Sequence, residues 1–392
     1  MRNRIAIIIY ANPDYYPPVM NAVEILSQEF NLTLICRNQE KSLNIYPGNV
    51  KIYRLGKLKN AYQKQNQSLI SKINEFFSFI LKTLFLVHKH NCKFIYSYDM
   101  YGLVVSFFAS RFIRRIPLLY HNLDLIALKE INGFGYIIKW LELKFSHFVD
   151  KIIFCDINRA RLFKEETGIK DLPEIMMNTP LKRSVLPENK LKEVLKNRGF
   201  NPELKVVLYQ GTIGNGKALL EVLRSLPYWP EDTVLVLLGY MYRDFAMVFF
   251  KEAKSMNLNK RIIYIPAVPY KELFNYTVGA YLGLALYSSF ELNWRFVAGA
   301  SNKIFEYISM GIPPIVNDSI YFREIFSDSM VYFADPFSYQ DIARIINLAL
   351  NDYSGYFKKS SNCRKAHLEK FNYQIQFQNI LEFISKKLKN RK

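Results

Sequence analysis

The chain of 392 residues is long enough for two domains, since single domains usually hold about 100–200 residues. Half of its residues are hydrophobic and 22% are charged, which excludes a disordered chain. Its four cysteines lie far apart, which excludes a disulfide scaffold, and they form no CxxC pair, which argues against a zinc ribbon or a thioredoxin-type site. The formal net charge of +19 favours an anionic partner, namely nucleic acid, an anionic membrane or a phosphorylated substrate; a lysine-rich surface without a functional role is the alternative.

The start of the chain bears on its location. The apolar run Ile5–Tyr10 follows basic residues but is too short for the core of a signal peptide. No run of about 18 apolar residues predicts a membrane span, and the scattered cysteines suit buried thiols in a reducing compartment. We expect a cytoplasmic protein, with attachment to the inner face of the cytoplasmic membrane as an open alternative.

Short apolar runs alternate with helical patterns through residues 1–180, the predicted N-terminal domain. Ile5–Tyr10 predicts a strand, and the spacing of Val19, Val23, Leu26 and Phe30 predicts the helix that follows it. Further strands are predicted at Leu32–Cys36, Lys93–Ser97, Leu118–Tyr120 and Lys151–Cys155. This alternation predicts a parallel sheet with helices on both faces.

A second α/β pattern occupies residues 204–365, the predicted C-terminal domain. The proline-rich, charged residues 181–203 are predicted to link the two domains, and an amphipathic helix is predicted in 366–392. Strands are predicted at Val206–Tyr209, Thr233–Leu238, Arg261–Ile265, Leu282–Leu286 and Pro314–Val316. In two doubly wound domains, ligands bind at the carboxyl ends of the strands, here beside a cleft between the domains.

The first candidate site is the turn Gly211–Lys217, with sequence GTIGNGK, between a predicted strand and a helix. Its three glycines permit a close backbone approach, the helix start offers free N–H groups, and Lys217 adds a positive charge, all of which suit a phosphate. The pattern is neither GxGxxG nor GxxxxGK[ST]. An ordinary glycine-rich turn is an equal alternative.

The second candidate site is the segment Ser301–Val316, which predicts a short helix capped by Gly311 and followed by a strand. Glu306 in that helix would accept hydrogen bonds from the vicinal hydroxyls of a ribose, and Lys303 would meet a phosphate. A solvent-exposed Lys303–Glu306 pair is the alternative.

These motifs resemble those of GT-B glycosyltransferases, in particular the retaining family 4 and its relatives. Residues 299–316, GASNKIFEYISMGIPPIV, are similar to the family signature of lysine, phenylalanine and glutamate followed by a glycine-x-proline turn and a strand. The segments 209–220, 264–273, 177–181 and 119–125 are similar to other family segments in the same order along the chain. The resemblance spans about residues 5–385.

The resemblance implies an α/β fold of GT-B architecture, with two Rossmann-like domains facing across a cleft and the last helix crossing back to the N-terminal domain. The C-terminal domain would bind a nucleotide-diphosphate sugar, with Glu306 on the ribose and Lys217, aided by Lys303, on the departing diphosphate. The implied donor site consists of Gly211, Thr212, Gly214, Gly216, Lys217, Gly239, Val268, Arg295, Ser301, Asn302, Lys303 and Glu306.

Departures from the family pattern surround this site. Ala298 stands where the family has a first glutamate, so Glu291 and the loop Asn293–Phe296 would have to supply substitute contacts, with Arg295 on phosphate or sugar. Thr212 stands where an arginine is common. No two aspartates are spaced i,i+2, so we expect no metal and no other cofactor, with lysines and backbone N–H groups stabilising the leaving group.

On the acceptor side, His121 and Asp124 follow a predicted strand, and we expect them to face the cleft. His121 would orient a sugar hydroxyl and Asp124 would bind or deprotonate the acceptor; the alternative is that they cap a loop. We expect Glu142 to have a structural role.

The stretch Lys57–Lys93 contains the apolar run FFSFILKTLFLV flanked by lysines. We favour a core helix with solvated lysines, and a helix lying on an anionic membrane is the alternative.

These observations favour a metal-independent, retaining glycosyltransferase. It would move a sugar from a nucleotide-diphosphate sugar to a saccharide acceptor, which is lipid-linked if the enzyme assembles cell-surface polysaccharide such as capsule or lipopolysaccharide. The alternative is a non-catalytic scaffold that binds a glycan or a membrane. Nucleic acid binding rests only on the net charge, because the sequence contains no known nucleic-acid recognition motif.

Overall fold

The computed structural model describes residues 2–39, 45–58, 68–112 and 115–390, and these residues divide into two compact units. Unit 2 is Thr179–Ile375, and unit 1 consists of the described residues up to Asn178 together with those from Gln376 onward. Lys64 of the predicted membrane stretch lies outside the described residues. None of the described helices is long and apolar enough to cross a bilayer.

Unit 1 is built on a seven-stranded parallel sheet in the order β3-β2-β1-β4-β5-β6-β7. Its strands are β1 Arg4–Ile9, β2 Asn31–Arg37, β3 Val50–Leu55, β4 Phe94–Tyr98, β5 Leu118–Asn122, β6 Lys151–Phe154 and β7 Glu174–Ile175. Its helices are α1 Pro17–Glu29, α2 Leu69–Lys89, α3 Asp99–Arg111, α4 Gly133–Phe145 and α5 Ile157–Thr167. The central strands are continuously apolar because helices cover both faces.

Unit 2 is built on a six-stranded parallel sheet in the order β10-β9-β8-β11-β12-β13. Its strands are β8 Lys205–Gln210, β9 Thr233–Leu238, β10 Ile262–Ile265, β11 Leu282–Ala285, β12 Pro314–Asn317 and β13 Tyr332–Ala334. Its helices are α6 Lys190–Asn197, α7 Leu219–Ser225, α8 Arg243–Ser255, α9 Tyr270–Thr277, α10 Leu292–Arg295, α11 Asn302–Ser309, α12 Ile320–Arg323, α13 Tyr339–Asn351 and α14 Tyr353–Glu369. Its core joins β8, β9 and β11 to α7, α8 and α13.

The last helix, α15 Tyr373–Lys389, belongs mostly to unit 1. The predicted apolar stripe is confirmed, since Phe377, Ile380, Ile384 and Leu388 are buried while Leu381 is half-buried. The Phe377 ring stacks on the β4 residue Tyr96 at a centroid distance of 6.2 Å. The helix therefore completes the core of unit 1.

The structure confirms the α/β class and every strand predicted from an apolar run, to within one or two residues at each end. It adds β3, β7 and β13, which the sequence did not predict. It also places α6 within the predicted linker 181–203, with Leu191 and Leu195 buried in unit 2. The four cysteines are free and buried, as predicted.

Candidate functional site

The strand order of unit 2 reverses its direction between β8 and β11. The chain winds outward in one direction from β8 through β9 to β10 and in the other from β11 through β12 to β13. The carboxyl ends of β8 and β11 therefore diverge into different connections, which leaves a crevice that binds ligands in folds of this kind. The predicted donor residues Gly211–Lys217 follow β8 directly.

The glycines of this crevice have conformations and contacts that a side chain would disturb. Gly211, Gly216 and Gly239 have φ angles of +113°, +74° and +144°. A Cβ at Gly239 would lie 1.9 Å from the Gly211 carbonyl oxygen, so the turns after β8 and β9 touch through their backbones. A Cβ at Gly214 would lie 2.7 Å from the Tyr242 ring. The loop is therefore packed on one side, while Gly211 and Thr212 remain exposed.

Two lysines approach the same loop. Lys303 Nζ donates a hydrogen bond of 2.8 Å to the Tyr209 hydroxyl, which in turn donates one of 2.7 Å to the Thr212 carbonyl oxygen. Burial, and next the charge of Lys217, hold the pKa of Lys303 well below its usual range. Burial and the neighbouring ammonium group of Lys217 thus disfavour the charged form of Lys303, and an anion in the crevice would offset both effects.

Lys217 is the second of these lysines, and aromatic rings surround it. Its Nζ lies 2.9 Å from the centroid of the Trp294 ring and 5.4 Å from that of Tyr287. Its side chain is buried. The rings fix the ammonium group beside the glycine turn and replace part of its hydration.

Glu306 lies on α11 and its carboxylate is held inside the unit. Its Oε2 accepts a hydrogen bond of 2.6 Å from Gln210 Nε2, and Tyr270 donates another. Gln210 Oε1 accepts a hydrogen bond of 2.8 Å from Thr277 Oγ1, which fixes the amide in this orientation. Burial raises the pKa of Glu306 to about 7 despite these donors. Glu306 is therefore a buried carboxyl group and not half of a solvated ion pair.

Arg183 is a further charged group near Glu306 that the sequence analysis missed. Its guanidinium lies 3.8 Å from the centroid of the Phe274 ring, and its buried Nε has no hydrogen-bond partner. The charges of Tyr270 and Glu306 both act on it. No local motif marks Arg183, because it comes from the predicted linker and meets the site only in the fold.

The other predicted donor residues have mixed positions. Ser301 Oγ shares a hydrogen bond of 2.5 Å with the Tyr287 hydroxyl, and Asn302 begins α11. Val268 is half-buried between β10 and α9. Arg295 is exposed, with its guanidinium 5.1 Å from the centroid of the Tyr321 ring, and Ala298 is fully buried.

In unit 1, the two predicted acceptor residues differ in their exposure, since His121 is buried and Asp124 is exposed. His121 is fully buried in β5, where its Nδ1 shares a hydrogen bond of 2.9 Å with the Tyr96 hydroxyl. Burial lowers its pKa to about 3, so the ring is neutral. Its role toward a sugar hydroxyl stays a prediction that this position does not support.

Asp124 is exposed and lies beside Asp99, a residue that the sequence analysis missed. Asp99 Oδ1 accepts hydrogen bonds from the backbone N–H groups of Leu123 and Asp124, at 2.8 and 3.2 Å. Burial and the charge of Asp124 raise the pKa of Asp99 to about 8. The signal available in the sequence was its position directly after the strand β4.

Glu142 has the structural position predicted for it. It is buried, accepts a hydrogen bond from the Tyr120 hydroxyl and pairs with Lys139 at 2.9 Å. Within the described ranges, no group of three or more His, Cys, Asp or Glu side chains is arranged to hold a metal ion.

Comparison with known families identifies the C-terminal part of the chain. Residues 192–369 match the family described as "Glycosyl transferases group 1". The chain carries a group 1 glycosyltransferase domain. That domain contains the glycine turn, both lysines and Glu306. The match supports a glycosyltransferase and favours it over the alternative of a non-catalytic scaffold.

Solved structures share the fold of the whole chain. They include HepE from Anabaena in complex with UDP and glucose, at 14% identity and a TM-score of 0.74, covering 98% of this chain and 100% of that one. Sucrose-phosphate synthase from Thermosynechococcus elongatus has 13% identity and a TM-score of 0.75, with coverage of 98% and 99%. WaaG, a glycosyltransferase involved in lipopolysaccharide biosynthesis, has 13% identity and a TM-score of 0.67, with coverage of 96% and 98%.

These matches establish the GT-B architecture of this glycosyltransferase. No curated protein sequence is significantly similar to the chain.

Proposed function

We propose that this glycosyltransferase binds a nucleotide-diphosphate sugar in the crevice of unit 2 and transfers the sugar to a saccharide acceptor. The observation that carries the proposal is a buried carboxyl group, Glu306, on the same helix as Lys303, together with Lys217 at the end of the glycine turn that Lys303 approaches. The carboxyl group suits the vicinal hydroxyls of a ribose, and the two lysines suit a diphosphate. HepE, a fold relative, is described in complex with UDP and glucose, so a uridine donor is the first to test.

The lysines would act on the leaving group. Cleavage of the anomeric bond leaves positive charge on the sugar and adds one negative charge to the departing diphosphate. Lys217 and Lys303 would stabilise that diphosphate as its charge grows, and the backbone N–H groups of the turn Gly211–Lys217 would add donors. We propose that this set replaces a metal ion and that the reaction retains the anomeric configuration.

For the acceptor we propose a lipid-linked saccharide of cell-surface polysaccharide assembly. WaaG, a fold relative, is described as involved in lipopolysaccharide biosynthesis, and the net charge of +19 suits an acceptor at an anionic surface. Asp124, positioned by Asp99 through the loop backbone, is the group of unit 1 that we propose binds the acceptor hydroxyl.

A turnover assay tests the donor and the reaction. Purified protein is incubated with each common nucleotide sugar and with lipid-linked saccharides, in the presence and absence of EDTA, and nucleotide release and product are measured. We expect release from one donor, unchanged by EDTA, and a product whose NMR spectrum shows the donor's anomeric configuration. Release abolished by EDTA would contradict the metal-free proposal, and an inverted product would contradict retention.

A further inference from the structure

Helix α2 is apolar on two opposite sides. One side is buried against unit 1 and consists of Phe76, Phe79, Thr83, Leu86 and Val87. The other side is exposed to solvent and consists of Ile70, Ile73, Phe77, Leu81 and Phe85, which are here called the apolar stripe. The expectation of a core helix is therefore wrong for this second side.

The apolar stripe is continuous and large. Its members recur every three or four residues, so they lie along one line of the helix, opposite the buried side. Ile70, Phe77 and Phe85 are 72%, 59% and 61% exposed. From Ile70 to Phe85 the stripe runs for about 22 Å at the usual rise of an α-helix. Folded monomers rarely leave such a line of large apolar side chains in water, and contiguous patches of this kind mark interaction surfaces.

Helix α4 also exposes large apolar side chains. Tyr136, Ile137 and Trp140 on α4 are about half exposed. The two helices meet where Phe134 of α4 packs against Phe76 of α2, at a centroid distance of 5.8 Å. Helix α3 packs against both. The exposed aromatic rings of α4 are of the kind that concentrates at the boundary between lipid and water.

The exposed charges of α2 and α4 are all positive. They are Lys72, Lys82 and Lys89 on α2 and Lys144 on α4. The acidic residues of these helices are engaged: Glu75 pairs with Arg37 at 3.0 Å, and Glu142 is buried. The combination of large apolar side chains with lysines is complementary to a lipid bilayer, which has an apolar interior and, where its headgroups are anionic, a negatively charged surface.

We propose that the apolar stripe of α2 and the exposed residues of α4 insert into the headgroup region of an anionic bilayer, with Lys82, Lys89 and Lys144 on lipid phosphates. A second copy of this chain would bring the same positive charges together, which opposes pairing through this surface. The proposal does not depend on the donor site, because every residue in it belongs to unit 1.

Flotation with lipid vesicles tests the proposal. Wild-type protein is mixed with vesicles of phosphatidylcholine and phosphatidylglycerol in equal parts, or of phosphatidylcholine alone, at low and high salt. We expect binding to the anionic vesicles that weakens at high salt, and at least about tenfold weaker binding for the double variant Phe77→Ser, Phe85→Ser. The matched control is Phe337→Ser, Phe357→Ser, whose phenylalanines are each 51% exposed in unit 2; it should bind as the wild type does.

Trp140 supplies a direct optical probe. Upon vesicle binding its emission should shift to the blue and be quenched by brominated lipid, and Trp140→Phe should lose most of both effects. Wild-type protein that stays unbound with anionic vesicles at low salt would overturn the proposal. Equal loss in the two double variants, or a dimer that Phe77→Ser abolishes, would overturn it as well.

Discussion

Burial and hydrogen bonding have opposite effects on the pKa of Glu306. Burial raises its pKa to about 7, and the hydrogen bonds from Gln210 and Tyr270 act in the other direction. The raised pKa means that the folded state favours the protonated carboxyl group. This contribution to stability is fully present below the pKa of the unfolded chain, about 4.5, and is lost as the pH rises through about 7.

Replacement by glutamine isolates this effect, because Glu306→Gln cannot ionise. We expect the free energy of unfolding of the wild type, relative to this variant, to fall by on the order of 1–3 kcal/mol between pH 5 and pH 8. Urea denaturation at several pH values measures it. Glu291→Gln, at an exposed position, is the control and should show no such trend. A difference independent of pH for Glu306→Gln would contradict the burial argument.

The fixed position of Lys217 beside the glycine turn predicts a large effect of its replacement on turnover. Lys217 is fixed by the rings of Trp294 and Tyr287, and we expect Lys217→Ala to lower kcat by about 10²–10³-fold, because the leaving group loses a fixed positive charge. Steady-state nucleotide release measures it. Lys192→Ala, which removes an exposed lysine paired with Glu203, is the control. Equal kcat values for the two variants would exclude Lys217 from the mechanism.

At the scale of elements, contact between two turns fixes the crevice. Gly239 after β9 lies against Gly211 after β8, and an added Cβ would overlap the Gly211 carbonyl oxygen. We expect Gly239→Ala to displace the glycine turn, lower the melting temperature and weaken nucleotide binding at least about tenfold.

Gly199→Ala separates backbone strain from this overlap. Gly199 also has a positive φ, +75°, but a Cβ there would meet nothing within 4 Å. We expect a cost of about 1–2 kcal/mol in the free energy of unfolding and unchanged nucleotide binding. If Gly239→Ala bound nucleotide as well as Gly199→Ala does, the contact between the turns would have no role in the site.

The sequence predicted those elements whose pattern is local. The strands β1 and β9 are continuous apolar runs between helices, so both faces had to be covered. Strand β3 was missed because it is only half-buried and contains the charged residues Lys51 and Arg54, and β13 because it has only three residues. The glycine turn and Gly311 were recognised because their conformations require glycine.

The partners of Glu306 could not be predicted in the same way. Gln210 precedes it by 96 residues and Arg183 lies in another part of the chain, so only the fold brings them together. A pattern of apolar residues likewise cannot tell a buried side of a helix from an exposed one. For this reason the apolar stripe of α2 was predicted to be core.

At the scale of the whole molecule, the last helix, α15, returns to unit 1 and supplies part of its hydrophobic core. Ile380 and Ile384 of α15 are fully buried, whereas Ile375 of the same helix is 42% exposed. We expect Ile380→Ala to lower the free energy of unfolding by about 3 kcal/mol, because it leaves a cavity, and Ile375→Ala to lower it by well under about 1.5 kcal/mol. Urea denaturation measures both. Equal costs would show that α15 is not packed as described.

Nucleotide binding with and without the Glu306 carboxylate tests the central claim most directly. Melting temperatures of the wild type, Glu306→Ala and the control Glu193→Ala, at an exposed position of α6, are measured with UDP, GDP, ADP and CMP, without metal. We expect one nucleotide to raise the melting temperature of the wild type and of Glu193→Ala, and to have no effect on Glu306→Ala. The same shift in all three proteins, or no shift in any, would contradict a donor site built on Glu306.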